Sequence, residues 1–137
     1  MRFYVAGKFR EYRRCREMID FLTSLGHSVT YDWTRTEEFN EEGDPKGPVG
    51  ERGDIPRWKL QLYAENDIEG VLDSDFIVVL ADSQLCGAWI ELGAALASPK
   101  FIKCYVLSAE RWTIFLHHPK VVQYSIMDFS RIAPLGL

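Results

Sequence analysis

Phe76-Ile77-Val78-Val79-Leu80-Ala81-Asp82-Ser83-Gln84-Leu85-Cys86-Gly87-Ala88-Trp89-Ile90-Glu91-Leu92-Gly93-Ala94-Ala95-Leu96-Ala97 passes from an unbroken apolar run, through a polar turn, into an apolar helix. Phe76 to Ala81 shows no alternation, which is the pattern of a strand covered on both faces in the middle of a parallel sheet. In the helix that follows Gly87, Glu91 is the one charge. A lone carboxylate among Ala, Trp, Ile and Leu is costly to bury without compensation. The helix N-terminus at Gly87 supplies part of it and predicts that Glu91 stays ionised. A strand, a turn and a helix N-terminus in that order also form the place where open α/β sheets hold ligands. Two readings of Glu91 stand side by side: a solvated or capping carboxylate, and a functional one.

Working outward, the other segments fit the same plan. Arg2 to Ala6 reads as the first strand and ends at Gly7. Tyr12, Cys15, Met18, Ile19, Leu22 and Leu25 recur at helical spacing and predict a helix from about Glu11 to Leu25, capped by Gly26. Ser28 to Trp33 alternates and reads as a second strand. A second helix is expected from Arg57 to about Asp73, with Leu60, Ala64, Ile68, Val71 and Leu72 as its apolar stripe and Asp67 inside that stripe. Phe101 to Leu107 is the fourth strand, Ser108 to Leu116 a loop or short helix, and Val121 to Tyr124 a short fifth strand. Met127 to Ile132 reads as a final helical turn. Strands alternating with helices predict a parallel sheet with right-handed crossovers. The expectation is a Rossmann/flavodoxin-like three-layer α/β sandwich with five parallel strands in the order 2-1-3-4-5. Its switch point would set Gly7, Lys8 and Phe9 beside Asp82, Ser83 and Gly87.

Thr34 to Pro56 breaks the pattern. It is rich in Glu, Asp, Gly and Pro. It is expected to be a flexible acidic loop without core residues, either a plain surface segment or a lid over a site. The 137 residues fit one domain, and 47% hydrophobic with 26% charged residues is an ordinary globular balance. A net charge of -4 argues against nonspecific nucleic-acid or membrane binding. No stretch approaches the roughly 20 apolar residues of a membrane span, and the N-terminus does not read as a signal peptide. Three cysteines, Cys15, Cys86 and Cys104, match no zinc spacing and suit reduced thiols. Together these predict a cytoplasmic protein without a metal or other cofactor.

Asp67 and Glu91 come from the two helices flanking the third strand. Paired carboxylates serve glycosidic cleavage, where one attacks or stabilises the anomeric carbon and the other handles protons or holds the sugar. The bland alternative for Asp67 is a rim aspartate in a salt bridge. Lys8 and Arg10 at the start of the first helix can hold a phosphate, or serve only solubility. Cys86 reads as a nucleophile or a small buried thiol. His117-His118 reads as a general acid, a metal ligand or a turn before Pro119. Trp33, Trp58 and Trp89 are candidates to stack on a base or to fill core and rim.

Three segments then resemble the nucleoside 2-deoxyribosyltransferase family: Phe3-Tyr4-Val5-Ala6-Gly7-Lys8-Phe9; Asn66-Asp67-Ile68-Glu69-Gly70-Val71 leading into Asp75-Phe76-Ile77-Val78-Val79; and Gly87-Ala88-Trp89-Ile90-Glu91-Leu92-Gly93-Ala94-Ala95. The resemblance implies cleavage of the N-glycosidic bond of a nucleoside or its 5′-monophosphate. It makes Glu91 the nucleophile that holds a glycosyl-enzyme and Asp67 the carboxylate that places the sugar or assists proton transfer. It sets Gly7 and its loop beside the base or sugar, and it implies a homo-oligomer. Where transferases carry a base-contacting Asp, this sequence has Leu85; the deoxynucleotide N-hydrolase branch lacks that Asp too. Transfer and hydrolysis therefore both stay open, as does the base. The alternatives of another class are a nucleotide-binding or sensing module without turnover and a glycohydrolase of NAD-like dinucleotides.

Overall fold

Phe76 to Leu80 is a strand (β3) with every residue buried, as its unbroken apolar run requires. The computed structural model describes residues 1–47, 55–81, 87–107 and 113–124. Around β3 stand β1 (Arg2–Ala6), β2 (Ser28–Val29), β4 (Lys103–Leu107) and β5 (Val121–Tyr124), all parallel, in the order β2-β1-β3-β4-β5. This is the expected sheet. Three helices connect it: α1 (Tyr12–Ser24), α2 (Arg57–Leu72) and α3 (Gly87–Ala97).

Strand side chains alternate between faces, and that alternation builds two cores. On one face Phe3, Val5, Phe76, Val78 and Leu80 meet Cys15, Ile19 and Leu22 of α1. On the other, Tyr4, Ala6, Ile77 and Val79 meet Val71 of α2, Leu92 and Ala95 of α3 and Leu116 of a 3-10 turn (Ile114–His117). Gly26 adopts φ +95 after α1, the left-handed conformation expected of a C-terminal glycine cap. Cys15 and Cys104 are buried free thiols, and burial pushes each up to about 12. Among the described residues no helix is long and apolar enough to cross a membrane.

Three expectations are corrected. The second strand stops at Val29 instead of Trp33. The Asp32 side chain accepts from Thr34 N at 3.0 Å and turns the chain into a 3-10 helix at Trp33–Arg35, a local bond that competes with the ladder. The expected apolar stripe of α2 is mostly outside: Leu60, Ala64 and Leu72 are exposed, and the buried residues are Gly70 and Val71. The described part of the acidic segment does hold core residues, since Thr34 and Phe39 are buried. Phe39 packs at 5.6 Å from Phe9 and 5.3 Å from Tyr12 between ring centroids. Glu38 is tied to α2 by Tyr63 Oη at 2.7 Å and Lys59 Nζ at 3.0 Å. One aromatic with an apolar pit, and one acid with a cation, suffice to pin a segment whose average composition is polar.

α2 lies close on β1 because Gly70 has no side chain. A Cβ there would stand 2.8 Å from Tyr31 Cβ and 3.0 Å from Tyr4 Cδ2. Helix propensity alone favours alanine over glycine by about 1 kcal/mol. The clash is with a backbone-near atom that cannot swing away, so overpacking at about 1–3 kcal/mol wins. Gly70→Ala is expected to lower the free energy of unfolding in urea; a stabilised variant would show that α2 has room to move off the sheet.

Candidate active site

At the carboxyl ends of β1 and β3 the chain leaves in opposite directions, β1 through α1 toward β2 and β3 through α3 toward β4. This is the switch point where open α/β sheets form a crevice. The register pairs Tyr4 with Ile77 and Ala6 with Val79, and these residues point toward α2 and α3. Three polar side chains therefore converge on one spot: Tyr4 from the sheet, Asp67 from α2 and Glu91 from α3.

Glu91 is 9% exposed and Tyr4 is fully buried. The Tyr4 phenol interacts with both carboxylates, yet Tyr4 Oη and Glu91 Oε2, both buried, fall short of a well-formed hydrogen bond among the described residues. Burial pushes the Glu91 carboxyl from 4.5 up to about 8; the Tyr4 hydroxyl opposes the shift and the Asp67 charge adds to it. Burial and then the two carboxylates hold Tyr4 well above the usual phenol range, so it is a proton donor here. The expectation of an ionised Glu91 is thus corrected for the ligand-free protein at neutral pH. Glu91 is the fifth residue of α3, beyond the first turn, where the helix dipole fades, and desolvation outweighs it. The solvated reading of Glu91 is also excluded by its burial.

Asp67 is half-buried and lines a cavity of about 60 Å³ with Phe9, Tyr31, Trp33, Thr36 and Tyr63. Trp33 is held there by its indole N–H, which donates to Val5 O at 2.8 Å. Of the three tryptophans considered for stacking, only Trp33 stands at this cavity. Trp58 is 66% exposed on α2, and Trp89 faces a different groove. Phe9 is brought to the site, whereas Gly7 serves packing: its Cα lies against Cys15 Sγ, and an added Cβ would collide with that sulfur. Lys8 is half-buried next to Gly7. Arg10 is exposed in a 3-10 turn (Phe9–Glu11) that comes before α1, so neither cation sits on the first turn of that helix as expected. Gly87 is exposed at the start of α3. Asp82, Ser83, Leu85 and Cys86, together with the final helical turn expected at 127–132, lie outside the described residues. His118 takes the turn reading: its Nδ1 accepts from Lys120 N at 3.1 Å.

Sequence reasoning assigned no role to Tyr4, Tyr31 or Tyr63. For Tyr4 a signal was present, a phenol inside the apolar strand Phe3-Tyr4-Val5-Ala6, because a buried hydroxyl needs a partner. Tyr31 and Tyr63 carried none, since only the tertiary fold sets them against Asp67.

No protein-family model matches the chain, and no curated protein matches it. Among solved structures, the Clostridium botulinum CMP N-glycosidase BcmB is similar, with a TM-score of 0.58 and 16% identity over 91% of this chain and 88% of that one. That likeness is one of fold.

Proposed function

We propose that this chain is an N-glycosidase-type enzyme of the nucleoside 2-deoxyribosyltransferase-like family, acting on a nucleoside or its 5′-monophosphate. The observation that carries the reading is the convergence of Glu91, Asp67 and Tyr4 at the switch point, with Glu91 buried. The fold shared with a CMP N-glycosidase supports it. Ionised Glu91 attacks C1′ of the sugar as the bond to the base nitrogen breaks. The base leaves with the bonding electrons and takes a proton from solvent, or from Asp67 when that carboxyl holds the proton that Glu91 gave up. A glycosyl ester on Glu91 remains, which water (hydrolysis) or a second base (transfer) resolves, restoring the carboxylate. Positive charge developing at C1′ favours the ionised form of Glu91 in the transition state. The aromatic wall of Phe9, Tyr31 and Trp33 offers a stacking surface, and Lys8 and Arg10, which follow β1, are the cations assigned to a 5′-phosphate. Asp82, Ser83 and Gly87 complete the proposed substrate side.

The test is chromatographic detection of free base from deoxynucleosides, ribonucleosides and their 5′-monophosphates, with and without an acceptor base. Base release from any of them establishes the class; a new nucleoside appearing only with acceptor establishes transfer. One observation favours a second reading, a binding or sensing module: the neutral Glu91 of the ligand-free protein is a hydrogen-bond donor at pH 7. Saturable binding of a nucleotide without base release selects that reading.

Tyr4 is the positioning residue of this scheme. Its hydroxyl lowers the Glu91 pKa, so Tyr4→Phe is expected to move the rising limb of kcat/KM to higher pH. A limb displaced by one pH unit means about a ten-fold loss of rate at pH 7. A variant whose rate falls equally at every pH would assign Tyr4 a packing role only.

A further inference from the structure

Lys59, Tyr63 and Asp67 follow one another at four-residue spacing on α2, so they lie along one face of that helix. Asp67 and Tyr63 line the small cavity of the site. Tyr63 and Lys59 also hold the chain segment that faces them. Glu38 Oε2 accepts from Tyr63 Oη at 2.7 Å and from Lys59 Nζ at 3.0 Å, and the same Nζ reaches Glu37 Oε1 at 2.7 Å. The side chains of Lys59 and Glu38 are only 20% and 18% exposed, so water and salt screen this pair less than an ordinary surface bridge. Burial, and then Glu38, pushes the Tyr63 phenol up to about 12, and the phenol in turn holds the Glu38 carboxyl down. At neutral pH a neutral hydroxyl therefore donates to an ionised carboxylate, the stronger class of hydrogen bond.

Thr36, two residues before Glu38, lines the cavity from the segment's side. It also lines a second cavity of about 300 Å³, shared with Arg16, Asn40 and Gly43. Thr36 is thus a partition between two spaces and has room to move. Two other walls are fixed. The Trp33 indole is bonded to Val5 O at 2.8 Å, and Tyr31 packs so closely on α2 that a Cβ at Gly70 would stand 2.8 Å from its own Cβ. The cavity of about 60 Å³ has room for about two waters, whereas one that takes a single six-membered ring measures about 150 Å³. A base must therefore displace Thr36 or Tyr63, and the bonds of Glu38 resist that. A fused two-ring base must displace them further.

We propose that the Glu38–Tyr63–Lys59 clasp sets the size of base this site accepts, so that single-ring pyrimidines enter and two-ring purines are disfavoured. The identity of the ligand rests on the N-glycosidase-type reading, but the selectivity is one of binding and needs no turnover. Tyr63 and Lys59 are positioning residues: they hold a wall and take no part in bond breaking.

Equilibrium dialysis of the Glu91→Gln protein, in which turnover is expected to be lost, against pyrimidine and purine nucleoside 5′-monophosphates reads the selectivity directly. Pyrimidines are expected to bind at least about ten-fold tighter, the scale on which overpacking a pinned wall acts. Tyr63→Phe keeps the ring and removes its bond to Glu38, and Lys59→Met removes the cation. In each, with an unchanged far-ultraviolet circular dichroism spectrum, purine affinity is expected to rise and the pyrimidine-to-purine ratio to fall at least about three-fold. A structural role alone would weaken both classes alike and leave the ratio where it was. Purines bound as tightly as pyrimidines with the clasp intact, a ratio that moves in neither variant, or binding of no nucleotide at all overturns the proposal. Pyrimidine-selective binding without base release from the wild type upholds the clasp and fails the glycosidase reading, so the two are told apart.

Discussion

Glu91→Gln is expected to lower base release by at least about a thousand-fold, the scale on which losing a covalent nucleophile acts. Glutamine keeps the shape and fills the same buried space, so the circular dichroism spectrum should not change. The wild-type pH profile carries the second half of the expectation. Glu91 must lose its proton to attack, and in the ligand-free protein it does so only near pH 8 because burial disfavours the charge. Below that value kcat/KM should rise about ten-fold per pH unit and then level off. A limb that levels near the ordinary carboxylate value of 4.5 would mean that Glu91 is hydrated in solution and would remove desolvation as the controlling effect. Full activity of the glutamine variant would sink the nucleophile assignment.

The same residue is expected to make the fold weaker as the solution becomes more alkaline. The unfolded chain releases the Glu91 proton near 4.5 and the folded chain near 8. Between those values the folded state binds more protons than the unfolded one, so stability falls as pH rises through the window and is constant on either side of it. The difference in pKa corresponds to roughly 3–5 kcal/mol. Glu91→Gln has no proton to lose. Its melting temperature should match the wild type near pH 4.5 and exceed it increasingly up to pH 8, by on the order of 10 °C for a domain of this size. An offset that stays constant with pH would contradict this. The pairing of lost activity with gained stability is the expected mark of a charge held in a site for its chemistry and at a cost to the fold.

The sequence contained more of the fold than of the site. The run Phe76 to Leu80 reads as a doubly covered strand, and it is one. Apolar strands separated by helical spacing then left few topologies, because parallel crossovers have one hand. These are local signals: period, run length and a glycine at a helix end. The carboxylates were legible for the same reason, since Asp67 and Glu91 each interrupt an apolar pattern. What the sequence could not contain was the balance of forces on them. Whether Glu91 is charged depends first on its burial and then on the Tyr4 hydroxyl from β1 and the Asp67 charge from α2, both distant in the chain. The helix dipole, which a sequence reading can place, is a local effect and lost to burial, which is not local. Phe39 and the α2 leucines depart from expectation in opposite directions for one reason. Periodicity says which side of a helix is apolar and composition says which segment is polar on average. Only packing against particular neighbours decides what is buried: Phe39 meets Tyr12 and Phe9, while Leu60 and Leu72 stay exposed.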